Sequence, residues 1–338
     1  MAKITEYLEL ILEGENLTFE QSKELLDTIF DGEVADVQIA AFLAAMRVKR
    51  ATVEELAGLA SSLRSHCVKV ETGLENVVDT CGTGGAKLKT FNISTAAALV
   101  AAGAGVPVAK HGNRGITSSC GSADVLEALG VNVEASPDVI AECITKAGVG
   151  FMFAPRFHPA MKHVQPVRKS LDFRTAFNIL GPLANPANAT GQVMGVPSDD
   201  MMMRIAKSLQ MLGIKKAMVV HSEGLDEIST LWPTKIATVC EDDVKVDVFD
   251  PRDHGIELAR FDDLKGKDAQ VNAEIVKGVI TGKLDGPKKD IVLINAAAAI
   301  MVGLKADNFD EGLAMARESI QSGKAQGSLD KLVEISNG

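Results

Sequence analysis

The chain has 338 residues and 45 acidic against 35 basic side chains, for a formal net charge of −10. That balance argues against a nucleic-acid binder, which would lean on a basic face. With 46% hydrophobic and 24% charged residues it reads as a globular protein rather than a disordered or fibrous one, and its length suits a large and a small domain.

The opening Met1-Ala2-Lys3-Ile4-Thr5-Glu6 lacks a basic segment leading into an apolar stretch, so no secretory signal is expected and the cytoplasm is the expected location. The least polar run, Ile93 to Val108, is shorter than the roughly 20 residues a membrane span needs, so no membrane partner is expected. Five cysteines (Cys67, Cys81, Cys120, Cys143, Cys240) form no C-x-x-C pair and are expected as reduced, mostly buried thiols.

The first 66 residues read as helices. Thr18-Phe19-Glu20-Gln21 and Thr52-Val53-Glu54-Glu55 have capping-box spacing, and Ile39, Phe42, Leu43 and Met46 share one face of Asp36 to Arg47. Near Asn76 the texture changes. Short β-branched runs (Val77-Val78, Val106-Pro107-Val108, Met218-Val219-Val220) alternate with helical stretches, predicting a mostly parallel sheet. Helices are predicted at Ser94 to Ala102, Ser122 to Leu129, Pro137 to Ala147, Asp200 to Leu212, Val271 to Gly282, Asp290 to Val302 and Phe309 to Ser322. Lys235 to Val239 and Val244 to Val248 alternate as an antiparallel hairpin-like addition, and the Pro/Asn/Ala-rich piece Gly181 to Gly191 reads as a linker. The fold class is therefore α/β: a small all-helical domain and a large α/β domain with a mostly parallel central sheet.

From Cys81 through Ala123 there is no Asp or Glu, where the chain average predicts about six, while Lys87, Lys89, Lys110 and Arg114 keep the basic content near average. Packing alone would deplete both signs, so selective loss of acid points to an anion site. Inside the window, Cys81-Gly82-Thr83-Gly84-Gly85 follows a strand and precedes Asn92-Ile93-Ser94-Thr95 at a helix start, a pattern suited to cradling phosphate and also to a purely steric turn. Lys110-His111-Gly112-Asn113-Arg114 ends the next strand, where open α/β sheets bind ligands. A basic patch (Arg156, Lys162, Arg168, Lys169, Arg174) is opposed only by Asp172, and Arg168 has the chemistry to grip a carboxylate. Gly224-Leu225-Asp226-Glu227 also follows a strand, and adjacent carboxylates suit Mg²⁺. No G-x-S-x-G elbow or Walker lysine pattern is present. Together these features describe transfer from a diphosphate donor to a small acidic acceptor.

These residues, with Gly121-Ser122-Ala123-Asp124, Ala154 to Lys162, Pro166-Val167-Arg168-Lys169, Arg174-Thr175 and Asn178-Ile179-Leu180-Gly181-Pro182, resemble the anthranilate phosphoribosyltransferase family over essentially the full length. The resemblance implies the nucleoside phosphorylase-like phosphoribosyltransferase fold, a homodimer, and a step of tryptophan biosynthesis. It implies a helical dimerisation domain at 1–70, with a returning segment near 163–184, and a donor-binding α/β domain at 71–162 and 185–338. It assigns 5-phosphoribosyl 1-diphosphate to Gly82, Gly85, Ala86, Thr90, Asn92, Ile93, Ser94, Thr95, Lys110, His111, Gly112, Asn113, Arg114, Gly115, Ile116, Thr117, Ser118 and Ser122. Anthranilate falls to Gly82, Asn113 and Arg168, and Mg²⁺, two ions with the donor, to Ser94, Asp226 and Glu227. Arg168 and His111 would be the catalytic residues. Two departures stand out: Ala86-Lys87 replaces a frequent acidic position, and Gly115 stands where Ser or Ala is frequent. A pyrimidine nucleoside phosphorylase shares the fold but has no need of the paired carboxylates, and a nucleic-acid-binding paralogue is disfavoured by the net charge.

Overall fold

The computed structural model describes residues 2–85, 88–115 and 120–338. Four helices come first: α1 (Ala2–Leu12), α2 (Phe19–Phe30), α3 (Asp36–Lys49) and α4 (Val53–Ser65). Both capping boxes form, with the hydroxyls of Thr18 and Thr52 accepting from the amides of Gln21 and Glu55. Glu55 does more than the spacing requires. Fully buried, its carboxylate accepts from the amides of Thr52 (2.8 Å) and Leu17 (2.9 Å) and from Lys49 Nζ, tying three helix ends together.

The α/β part follows as β1 (Val78–Gly82), α5 (Ile93–Gly103), β2 (Val108–Gly112), α6 (Ser122–Ala128), α7 (Pro137–Glu142), β3 (Val149–Phe153) and α8 (Ala154–Phe157). It continues through α9 (Gln165–Leu171), α10 (Phe177–Leu183), β4 (Gly191–Gly195), α11 (Asp199–Met211), β5 (Lys216–His221), β6 (Thr234–Val239) and β7 (Val244–Phe249). The chain ends with α12 (Ala269–Ile280), α13 (Pro287–Val302), α14 (Phe309–Gln321) and α15 (Lys324–Asn337). The predicted helices lie within a few residues of these bounds. The one over Pro137 to Ala147 finishes as a wider π-turn at Cys143–Ala147, and the hairpin is β6 and β7.

Among the described residues one sheet of seven strands runs β3-β2-β1-β4-β5-β6-β7, parallel through β5 and antiparallel at β6 and β7. Its two faces show the period-two rule of strands. Val193, Met218 and Val220 join a core with α5, α12, α13 and α15, whereas Met194, Ala217 and Val219 join another with α10, α11 and the four N-terminal helices. The helical module is thus continuous with one outer layer of the sheet. Helix α13 is apolar all round and correspondingly buried from Ile291 to Val302.

One expectation holds only in part. Residues 184–190 do connect α10 to β4 without helix or strand, but Gly181 and Pro182 lie within α10, and Leu183, Ala184 and Asn185 are buried. Local Pro, Asn and Ala content signalled a breaker but carried no information about what packs over it.

Candidate active site

The chain order reverses between β1 and β4: β2 and β3 build outward on one side, β5 to β7 on the other. At such a switch point the loops leaving the strands diverge and open a crevice at their carboxyl ends. The glycine loop leaves β1 there. Its ends are pinned, the Thr83 amide donating to Gly195 O (2.9 Å) and the Leu88 amide to Gly224 O (3.2 Å).

The Asp226-Glu227 pair arrives from β5 over the ends of β1 and β4. A Cβ on Gly82 would stand 2.9 Å from Asp226 Oδ2, so the carboxylate lies directly on the glycine loop's root. Asn295 on α13 clamps the next residue from below, accepting from the Ile228 amide (3.0 Å) and donating to its carbonyl (2.9 Å). Burial raises the Asp226 pKa, opposed by the Gly84 amide and by Arg174. Glu227 is pushed up to about 8, first by burial and then by Asp226, with Lys110 and the Ser94 amide acting in the other direction. Two carboxylates crowded in this way call for a cation.

Lys110 is buried and donates to Thr80 O and to Ser94 Oγ (3.3 Å). It lies beneath the site as an internal counter-charge to Asp79 and Glu227. Thr80, Ser94, Gly195 and Glu227 line a cavity of about 10 Å³, the room of a single water. Among the described residues no group of three or more His, Cys, Asp or Glu side chains surrounds a metal position. Mg²⁺ fits such a set, because it takes one or two carboxylates and completes its shell with water and substrate phosphate.

Asn92 stands at the N-terminal boundary of α5 without a side-chain cap bond and is locked by Asn272, whose Nδ2 donates to Asn92 Oδ1 (2.9 Å). Ile93 sends its side chain into the core and its amide to Phe91 O, while Thr95 Oγ1 is buried without a protein partner. Thr90 is half-buried just ahead of them. On the far side, Ser122 Oγ donates to Asn113 O (3.3 Å) and packs against Gly112. The Gly115 and Gly121 amides share Asp124 Oδ2 (2.9 and 2.8 Å), which ties Gly115 to the start of α6. Arg114 is held by Asp124 and Glu127 and stacks on Phe153, so its guanidinium is already neutralised. The window without acids along the chain is therefore not free of acids in space: Asp124, Asp226 and Glu227 fold back onto it. Ala86, Ile116, Thr117 and Ser118 lie outside the described residues.

His111 is buried, with Nε2 lacking a protein partner, and burial followed by the nearby His158 lowers its pKa to about 3. The two rings are 5.0 Å apart, and burial lowers His158 to about 4. The His111 amide donates to Asp79 Oδ1 (3.2 Å), and Asn185 Nδ2 donates to Asp79 Oδ2 (2.8 Å) and Ala109 O (2.9 Å). Asp79 is raised to about 6 by burial, with Lys110 as the main opposing influence. Arg168 on α9 is half-buried over the Phe177 ring, its Nη1 donating to Gln165 Oε1 (3.4 Å), and among the described residues no carboxylate pairs with it. A partly desolvated, unpaired guanidinium is suited to an incoming carboxylate.

Sequence reasoning did not assign Asp79, His158, Asn185, Gly195 or Asn295 to the site. Gly195 ends β4 beside the glycine loop, which was a usable signal, whereas Asp79 lies near the start of β1. Asn185 sat inside the apparent linker, and Asn295 in an Ala-rich helix with no local mark.

The helical-bundle domain model of a glycosyl transferase family matches residues 5–67, and the a/b domain model of that family matches residues 74–326. The chain is 47% identical to the anthranilate phosphoribosyltransferase of Acetivibrio thermocellus, across 97% of this chain and 95% of that one. It is 46% identical to that of Methanopyrus kandleri, across 98% and 99%. Among solved structures, the Thermus thermophilus anthranilate phosphoribosyltransferase superposes with a TM-score of 0.93 at 38% identity, covering 98% of this chain and 99% of that one. The Saccharomyces cerevisiae enzyme, in complex with PRPP and Mg, gives 0.90 at 28% identity, covering 99% and 98%. The chain belongs to the anthranilate phosphoribosyltransferase family.

Proposed function

We propose that this chain transfers the phosphoribosyl group of 5-phosphoribosyl 1-diphosphate to the amine of anthranilate, forming N-(5-phosphoribosyl)anthranilate and diphosphate in tryptophan biosynthesis. The observation that carries this reading is the Asp226-Glu227 pair seated over the glycine loop at the β1/β4 switch point.

The donor's diphosphate would lie between the glycine loop and the α5 start, within reach of Gly82, Gly85, Asn92, Ser94 and Thr95, with Ser122 and the loop from Lys110 to Gly115 on the other wall. Ser94, Asp226 and Glu227 would hold Mg²⁺, which when bound neutralises charge growing on the leaving diphosphate. Arg168 would hold the anthranilate carboxylate, with Gly82 and Asn113 beside it, aiming the amine at the anomeric carbon. The new C–N bond forms as the C–O bond to diphosphate breaks. The amine's proton becomes acidic only after that bond exists, so a weak acceptor suffices: water, or the neutral His111 through Nε2. Burial keeps this ring neutral at physiological pH, so it places no charge beside the acceptor.

The finer assignments are two Mg²⁺ ions with the donor, a homodimer formed through the helical domain of residues 1–70, and a cytoplasmic location. Supporting the dimer, Leu12, Val37 and Val48 of the helical module are exposed apolar side chains. Among the described residues no helix is long and apolar enough to cross a membrane.

The test is anthranilate fluorescence followed with donor and Mg²⁺. The signal should fall only when all three components are present; no change with all three would refute the reading.

A further inference from the structure

Arg174 lies between α9 and α10, outside every contact assigned above to substrate or metal. Its Nη2 donates to Thr83 O (3.0 Å) and to Gly84 O (2.8 Å), two successive carbonyls of the glycine loop. Gly84 and Gly85 follow with φ of 66° and 90°, and a Cβ on Gly85 would stand 1.8 Å from Arg174 Nη1. The loop's backbone is therefore wrapped on the guanidinium, and glycine at 85 is what lets it approach. The same residue is held from the other side: its carbonyl accepts from Arg47 Nη1 on α3, whose guanidinium also stacks on Phe173 (5.4 Å). A line of contacts thus runs from the helical module through Arg174 to the loop.

We propose that Arg174 is a positioning residue for the diphosphate donor, pinning the carbonyls of Thr83 and Gly84 so that the glycine loop keeps one shape, and that Arg47 registers this latch against the helical module. The inference rests on the phosphoribosyl-transfer reading of the same site. Two carbonyls bonded to a charged donor cannot turn outward, and outward-facing carbonyl oxygens would repel phosphate. Without the latch the loop samples those arrangements, and the donor must select the competent one, which weakens its apparent affinity. The acceptor, anchored chiefly by Arg168 and touching the loop only at its root, Gly82, is affected less.

The experiment compares the full chain with Arg174→Ala, Arg174→Lys and Arg47→Ala. Amide hydrogen exchange is followed in the ligand-free proteins, and Michaelis constants are measured for donor and anthranilate. Arg174→Ala should speed exchange of the Thr83 to Gly85 amides and raise the donor KM about tenfold or more, the worth of a charge-assisted hydrogen bond, with a clearly smaller rise in the anthranilate KM. Arg174→Lys, which keeps the charge without the planar fork, should recover part of both effects, and Arg47→Ala should show both in weaker form. Should Arg174→Ala not fold, the lysine variant carries the same two readouts. Unchanged exchange in the loop, or equal rises in both KM values, would overturn the latch. A wild-type chain that releases no diphosphate would instead overturn the reaction assignment and leave the exchange result to stand on its own.

Discussion

Asp226 crosses Gly195 so closely that a Cβ on Gly195 would stand 1.6 Å from the Asp226 carbonyl oxygen. Gly195 is the last residue of β4 and pairs with Gly82 at the end of β1, so two glycines form the floor on which the carboxylate loop rests. No larger side chain fits there without lifting that loop.

Gly195→Ala should therefore displace both carboxylates. A shift of even 1 Å in a positioned group can cost about a hundredfold in rate. The expected outcome is a fall in kcat/KM of about that size with a raised Mg²⁺ requirement, read from initial rates over a metal titration. Wild-type metal dependence in this variant would mean the loop does not need the close approach.

Glu227→Gln should separate stability from function. The glutamate pKa is raised in the fold from 4.5 to about 8, so between those values the folded chain retains a proton that the unfolded chain has lost. Stability therefore falls as pH rises across that window. The neutral amide removes this penalty. At pH 8 the variant should show a higher denaturation midpoint than wild type and a weaker response to Mg²⁺ in turnover; an unchanged magnesium titration would exclude Glu227 as a ligand.

Arg168→Ala should raise the KM for anthranilate well above any change in the KM for the donor. Losing a bidentate charged contact is worth about tenfold or more. Steady-state kinetics with each substrate varied in turn decides this, and a larger effect on the donor would contradict the assigned role.

The histidine pair predicts acid sensitivity. His158 has an ordinary value of 6.5 and a folded value of about 4, so below pH 6.5 the unfolded chain gains a proton that the fold refuses, and stability is lost as pH falls through that window. Asp79, raised from 3.8 to about 6, acts with the opposite sign between those values and partly offsets the loss. His158→Phe should lose about 2 kcal/mol less than wild type between pH 7.5 and pH 5 in denaturant titrations. Parallel losses in the two proteins would show that His158 is not the sensor.

Chain-local signals carried a long way. The capping boxes at Thr18 and Thr52, the β6/β7 alternation and the helix at Asp290 to Val302 were legible because caps and hydrophobic periods act over a few residues. Strand β4 and helix α15 were not predicted. Gly191-Gln192-Val193-Met194-Gly195 has little β-branched content, and it becomes a strand because β1 and β5 pair with it on both sides.

From the sequence alone came the chemistry: glycines after a strand, paired carboxylates after another, an arginine in a basic patch, and a family resemblance that joined them. Tertiary structure decided their relations. It put Asp226 on Gly82 and Gly195, set Lys110 beneath Glu227 rather than in the open, occupied Arg114 with two carboxylates, and wound the glycine loop around Arg174. The reason is range. Conformational preference and periodicity are properties of neighbours along the chain, whereas burial, charge pairing and close backbone approach depend on segments about a hundred residues apart that meet only when the sheet closes its switch point.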